Sequence, residues 1–341
     1  MGRPPFRMLR DLRVRIRKPA PRHHPGISRL QFGPPSQKKH TIVAPASPHC
    51  TVSNTANTGG AIKTLLHTIA GLAILVVSEI LTLLLFRGMS DTHPIVATVG
   101  YAIVAVALAF ALVYLYSTKV LKRPLGDFRV RRPKNLGAWI GVAVLLAAAV
   151  SCFFIFVLPG TFTVKHDTPG KIAATIVYSI LVTGLASGII EDLIFRGYLM
   201  RLFEDRRNKI VGALIPSIIF AAMHIGRVQN PSVTDMLLVL VGGTVFGIML
   251  SVIAYMSNSF WASASVHCIW NIIVDAQIIG VGSRADSGGT SLYTYSTDST
   301  NELLTGGKFG IEVSLPAILA YCIVIAVCVT ACRRTAAKTA A

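Results

Sequence analysis

Eight apolar runs, near residues 62–86, 93–117, 137–158, 172–199, 210–225, 235–256, 259–281 and 312–332, leave this chain little choice of fold. A hydrocarbon core of roughly 30 Å is crossed by about 20 helical residues, and most of the runs reach that length; the fifth is the weakest. The expected fold class is all-α: a polytopic integral membrane helical bundle of about eight transmembrane helices, with any chemistry inside the bundle. Composition agrees. Of 341 residues, 52% are hydrophobic and 14% charged, against about a quarter charged in soluble domains.

The formal net charge of +18 raises the question of nucleic acid, and the distribution of that charge answers it. Basic residues crowd the first 18 positions, the second connection (Lys119 to Lys134), the fourth (Arg201 to Lys209) and the C-terminus (Arg333, Arg334, Lys338), whereas the other connections hold isolated cations such as Arg87, Lys165, Arg227 and Arg284. This alternation is the positive-inside pattern of a multi-pass cell membrane protein with both termini cytoplasmic. The partner it implies is the lipid bilayer, and no nucleic acid.

Residues 1–60 combine Arg, Pro, His and Ser without an apolar run, which reads as a disordered basic cytoplasmic tail lacking the apolar region of a secretory signal. Residues 61–335 then form the transmembrane helical domain. No period of 20–50 residues and no matching halves are seen, which counts against a transporter built from repeats. The six cysteines show no C-x-x-C pair and indicate neither a disulfide framework nor a cysteine zinc site. Gly242, Gly243 and Gly247 on the sixth run make a small-x-x-x-small step, read as packing against a neighbouring helix. The loop at 282–311, rich in Ser, Thr, Gly and Asp, suggests only solvation.

Polarity inside the apolar runs clusters between residues 178 and 275. The segment Glu191-Asp192-Leu-Ile-Phe-Arg196-Gly places two acids and a cation where hydrocarbon is expected, and intramembrane ionisable groups mark functional sites by default. Asp192 and Arg196, four apart, share a helix face in the order that favours an ion pair. Glu191 points about 100° away and is the freer acid. Phe220 and His224 are again four apart, and His267, Asn271 and Asp275 make one polar stripe that must face protein or water. Depth is an obstacle: His224 falls near one end of the fifth run, while His267 lies about two turns in from the opposite end of the seventh. A break at Pro216, with the fifth helix starting near Ser217, would bring the two level.

An acidic pair before an arginine, then F-x-x-x-H, then H-x-x-x-N, on separate helices and in that order, resembles the CPBP family of intramembrane proteases. That family includes type II CAAX prenyl endopeptidases and bacteriocin-processing or self-immunity, Abi-like proteins. The similarity covers about residues 170–280, the family's core. It implies catalytic roles for Glu191, His224, His267 and Asn271, with Asp192, Arg196 and Phe220 supporting them. The family usually has Glu-Glu where this chain has Glu191-Asp192.

The chemistry so implied is peptide hydrolysis: Glu191, with His224, activates water, and His267 and Asn271 donate to the developing oxyanion. Glu191, His224 and His267 also equal the His₂Glu ligand set of a catalytic divalent metal such as zinc, and a metal-free mechanism stands beside it on equal terms. A cavity opening toward the basic side would admit a membrane-anchored protein or peptide, whether a CAAX-type lipidated C-terminus or a leader peptide. Two rivals remain: a catalytically silent membrane immunity or scaffold protein of the same fold, and a proton-coupled transporter using Glu191, His224, His267 and Asp275 as a relay.

Overall fold

A computed structural model describes residues 55–276, 278–282 and 291–340 of the chain. Most of the expected 1–60 tail lies outside them. Helix α1 spans Thr55–Phe86; α2 spans Pro94–Leu115 and continues through a π turn, Tyr116–Val120; α3 spans Leu136–Val157. Helix α4, Pro169–Arg206, is one rod containing two π segments, Ser179–Ala186 and Leu193–Leu199. Helix α5 is Lys209–Ile225, α6 is Val233–Ser257, and α7 is Phe260–Trp270 extended by a π turn, Asn271–Asp275. The short α8, Glu302–Thr305, precedes α9, Leu315–Ala340. Six of these helices, α1 to α4, α6 and α9, are long and apolar enough to cross a membrane. The chain is a polytopic, mostly helical membrane protein, and α5 and α7 are shorter helices within it.

Polar contacts knit the two ends of the bundle separately, which fixes the alternation of helix directions. At the basic end, Arg123 pairs with Asp205, Arg129 pairs with Glu204, and Tyr255 Oη donates to the carbonyl of Lys209 at 3.1 Å. At the opposite end, Tyr295 Oη donates to Leu158 O at 2.6 Å, and Lys308 donates through Nζ to Asn230 O at 2.7 Å. Asp235 is buried there. It closes a capping box with Ser232 and also accepts the Lys308 backbone N–H at 2.9 Å.

The described part of the loop expected at 282–311 is more ordered than its composition suggests. Strand β1, Gly160–Val164, pairs antiparallel with β3, Tyr293–Thr297, and β2, Ile279–Val281, joins β3 in parallel, giving the order β1-β3-β2. Alternating aromatic and β-branched residues carry the pairing, with Phe162 opposite Tyr295 and Val164 opposite Tyr293. Such short alternations are invisible among the surrounding Ser and Gly.

Helix α5 corrects the expected break: it is continuous from Lys209 to Ile225 with Pro216 inside it. One proline costs one ladder bond, which neighbouring structure in a membrane bundle can absorb. The depth mismatch is resolved at α7 instead. Ser259 and Phe260 are fully buried, Ser259 Oγ donates to Arg131 O at 2.5 Å and the Phe260 N–H to Arg129 O at 3.1 Å, so α7 starts recessed beneath the connection before α3. His267 is thereby carried level with His224.

Glycines set the close approaches. A Cβ on Gly243 would lie 2.9 Å from Ala221 Cβ and one on Gly247 2.7 Å from Ser217 Cβ, which is the helix contact expected of that step. A second such step, Gly184 and Gly188 on α4, matters more for the site. A Cβ on Gly188 would lie 2.8 Å from Cys268 Sγ and 3.0 Å from the Cys268 backbone nitrogen, and one on Gly184 would overlap the Ile272 side chain. Gly188→Val is expected to cost about 1–3 kcal/mol by overpacking and to part α4 from α7. Thermal unfolding in detergent should fall together with activity; an unchanged unfolding temperature would refute the close packing.

Candidate active site

Glu191 is carried into the bundle by the α-helical turn between the two π segments of α4. A π turn takes an extra residue and disturbs the ladder, which re-aims side chains and releases carbonyls, and such turns are frequent at functional sites. Within the first π segment, Thr183 O accepts the side-chain N–H of Asn271 at 3.2 Å. Glu191 is 6% exposed. Its Oε1 accepts from Ser187 Oγ at 2.9 Å and lies 3.3 Å from the guanidinium of Arg227. Its Oε2 faces two imidazoles, with His267 Nε2 at 3.7 Å and His224 Nε2 at 3.9 Å.

Both rings are held from behind. His224 Nδ1 lies 2.8 Å from Phe220 O, one turn earlier on α5, and His267 Nδ1 lies 3.1 Å from Asp192 Oδ1. A partner at Nδ1 fixes the proton there in the neutral ring and leaves Nε2 as the basic nitrogen. Asp192, fully buried, also sits 3.1 Å from Arg196 Nη1. The Arg196 guanidinium carbon lies 4.5 Å from the Phe220 ring centroid. That ring is 4.3 Å from the His224 ring and meets the His267 ring edge-on at 5.8 Å. Phe220 thus separates the arginine from the two imidazoles while touching all three.

The structure brings together every residue singled out from the sequence in this region: Glu191, His224 and His267 around one carboxylate oxygen, Asn271 one turn beyond His267, and Asp192, Arg196 and Phe220 behind them. Sequence reasoning missed Arg227 and Ser187. Arg227 reads as a lone connection cation, yet it bends back to Glu191 and lies 3.8 Å from Asp275 Oδ2; its place three residues after His224 is the only hint. Glu79, on α1, lies within electrostatic reach of both Glu191 and Arg227. Cys268 packs against Gly188 as a buried apolar residue.

Beside these groups is a cavity of about 30 Å³, enough for one or two waters. His224, His267 and Asn271 line it with Arg227, Asp275 and Glu312. The last three belong to the end of the bundle opposite the basic connections, so the cavity is not lined from the basic side.

Residues 173–273 match the family model described as type II CAAX prenyl endopeptidase Rce1-like. The chain carries an Rce1-like domain. No curated protein and no solved structure matches the chain. The match covers less than a third of the chain, and a likeness to this family points to a membrane protease acting on membrane proteins. The Rce1-like domain contains Glu191, His224, Arg227, His267 and Asn271, whereas α1 to α3 and the sheet strand β3 lie outside it. Within the domain, Asp192 contacts Arg196 and His267.

Proposed function

We propose that this protein is an intramembrane endopeptidase that hydrolyses peptide bonds of membrane-anchored or lipidated proteins or peptides, with its N- and C-termini on the cytoplasmic side. One observation carries the reading: a buried carboxylate whose Oε2 faces the Nε2 atoms of two imidazoles, beside a water-sized cavity. Glu191 takes a proton from the attacking water as its oxygen adds to the scissile carbonyl, and returns that proton to the leaving amine. His224, held through Nδ1, offers Nε2 to orient the second hydrogen of the water. With Asp192 at its Nδ1, neutral His267 also presents an acceptor, so the oxyanion donor is assigned to Asn271. Its amide has a second N–H beyond the one given to Thr183 O, and such a donor is worth about 3 kcal/mol.

The donor set fits a divalent cation in kind: Glu191, His224 and His267 would hold it, with Phe220 O and Asp192 orienting the rings from behind. At 3.7 and 3.9 Å the facing atoms stand wider than the about 3.3 Å edge of a tetrahedron with zinc bonds of roughly 2.0–2.1 Å, and among the described residues none are grouped as a ready metal site. Such an ion, when bound, supplies Lewis-acid polarisation and a more acidic water.

The test is cleavage of a quenched fluorescent library of membrane-anchored peptides by the purified chain in detergent, with and without chelator. Cleavage lost in Glu191→Ala and His267→Ala supports the assignment. Loss on chelation that added zinc reverses assigns the cation. Undiminished cleavage by both variants would remove the site from consideration.

A further inference from the structure

We propose that the cavity is entered from the extracytoplasmic face, so that its substrates are extracytoplasmic segments beside a membrane anchor and not the cytoplasmic C-termini of lipidated proteins; this rests on the peptide-hydrolysis reading above. Among the lining residues, Arg227 belongs to the α5–α6 connection, Asp275 closes α7, and Phe309, Glu312 and Val313 lie just before α9. All five sit at the end that carries the sheet. Arg227 is 49% exposed, yet its guanidinium reaches to 3.3 Å from Glu191 Oε1. A single side chain therefore spans from solvent to the carboxylate at that end.

In the other direction an apolar groove starts beside Arg132 and Pro133 but ends at Cys268 and Ile269, with none of Glu191, His224 and His267 in its lining. Residues 190–200 of α4 are buried without interruption, and Leu193 to Met200 alone make up about two helical turns of this packing. Phe260, Ala262, Ala264 and Val266 are buried along the facing stretch of α7. A peptide backbone drawn through such packing would lose its hydration group by group, at a cost of about 2–7 kcal/mol for each unpaired amide. Water and substrate therefore reach Glu191 from the sheet end.

Charge then assigns the ends to compartments. Connections at the closed end hold Arg123, Arg131, Arg132, Arg206 and Arg207, whereas those at the open end hold, among the described residues, Arg87, Lys165, Arg227 and Lys308. Orientation follows the richer end, which stays in the cytoplasm. The prenylated C-terminus of a cytoplasmic protein is anchored on that side, behind the closed packing.

Single cysteines at Thr163, Arg207 and Glu312, each in the full chain with its six native cysteines replaced, test the access. In intact cells, a membrane-impermeant maleimide should label Thr163→Cys and Glu312→Cys at least tenfold faster than Arg207→Cys, which reacts only after permeabilisation. Phe309→Cys serves as a second cavity reporter if Glu312→Cys fails to fold. Labelling of the cavity cysteine only after permeabilisation overturns the proposal. In sealed proteoliposomes of known orientation, a peptide anchored by one apolar helix should be cut when its cleavable segment lies on the Thr163 side; cutting confined to the Arg207 side also overturns it. If neither segment is cut while Glu312→Cys labels from outside, the hydrolysis reading fails and the substrate assignment falls with it, but the direction of access stands.

Discussion

Glu191→Gln is expected to lower cleavage of an anchored peptide by about 10²–10⁴-fold, the range for removing a general base, while the protein still folds. Glutamine keeps the shape and can still accept from Ser187 Oγ, which lies 2.9 Å from Oε1. What it loses is the charge and the ability to take a proton between the two imidazoles. Arg227 loses an ionic partner, but it is half-exposed and solvent can take over its charge. The measurement is kcat on a fluorogenic anchored peptide beside thermal unfolding in the same detergent. Activity within fivefold of wild type would show that Glu191 is not the base, and a collapse of folding would make its role structural.

Asp192→Ala should have the largest effect on stability. Arg196 is 1% exposed and Asp192 0%, so truncation leaves a guanidinium buried in the bundle without its carboxylate. Breaking a buried pair from one side costs about 3–5 kcal/mol, whereas replacing both partners by apolar residues of similar volume is often neutral. The double variant Asp192→Leu/Arg196→Met is therefore expected to recover most of the lost stability. It should not recover activity, because His267 would still lack the carboxylate 3.1 Å from its Nδ1 that holds the ring. Additive destabilisation in the double variant would disprove the coupling. Full activity in it would show that Asp192 serves Arg196 alone.

The two variants separate what the motif suggests from what the packing adds. Four-residue spacing alone places Asp192 beside Arg196, and that pair is present. The same spacing is silent on His267, which comes from another helix 75 positions later. Position likewise separates the two acids: Asp192 lies between Arg196 and His267, with Glu191 engaged by Ser187, Arg227 and the two Nε2 atoms.

By itself, the sequence determined that this is a multi-pass helical membrane protein, because uninterrupted apolar runs can satisfy their backbones in lipid only by local, helical hydrogen bonds. It also singled out the candidate groups, because an ionisable side chain in hydrocarbon is costly enough to stand out in any reading. The tertiary structure alone decided how those groups meet. The recessed start of α7 under Arg129 and Arg131, the Gly184 and Gly188 approach to Cys268 and Ile272, and the π turns of α4 are all set by contacts between distant segments. Local periodicity assumes regular helices that begin at the membrane surface, so it placed His224 and His267 at different depths and called for a break at Pro216 that α5 does not have. Arg227 and the open face belong to the same class. A connection's cation shows its charge in the sequence, but whether it turns to solvent or back to a buried carboxylate depends on where the chain's other helices end.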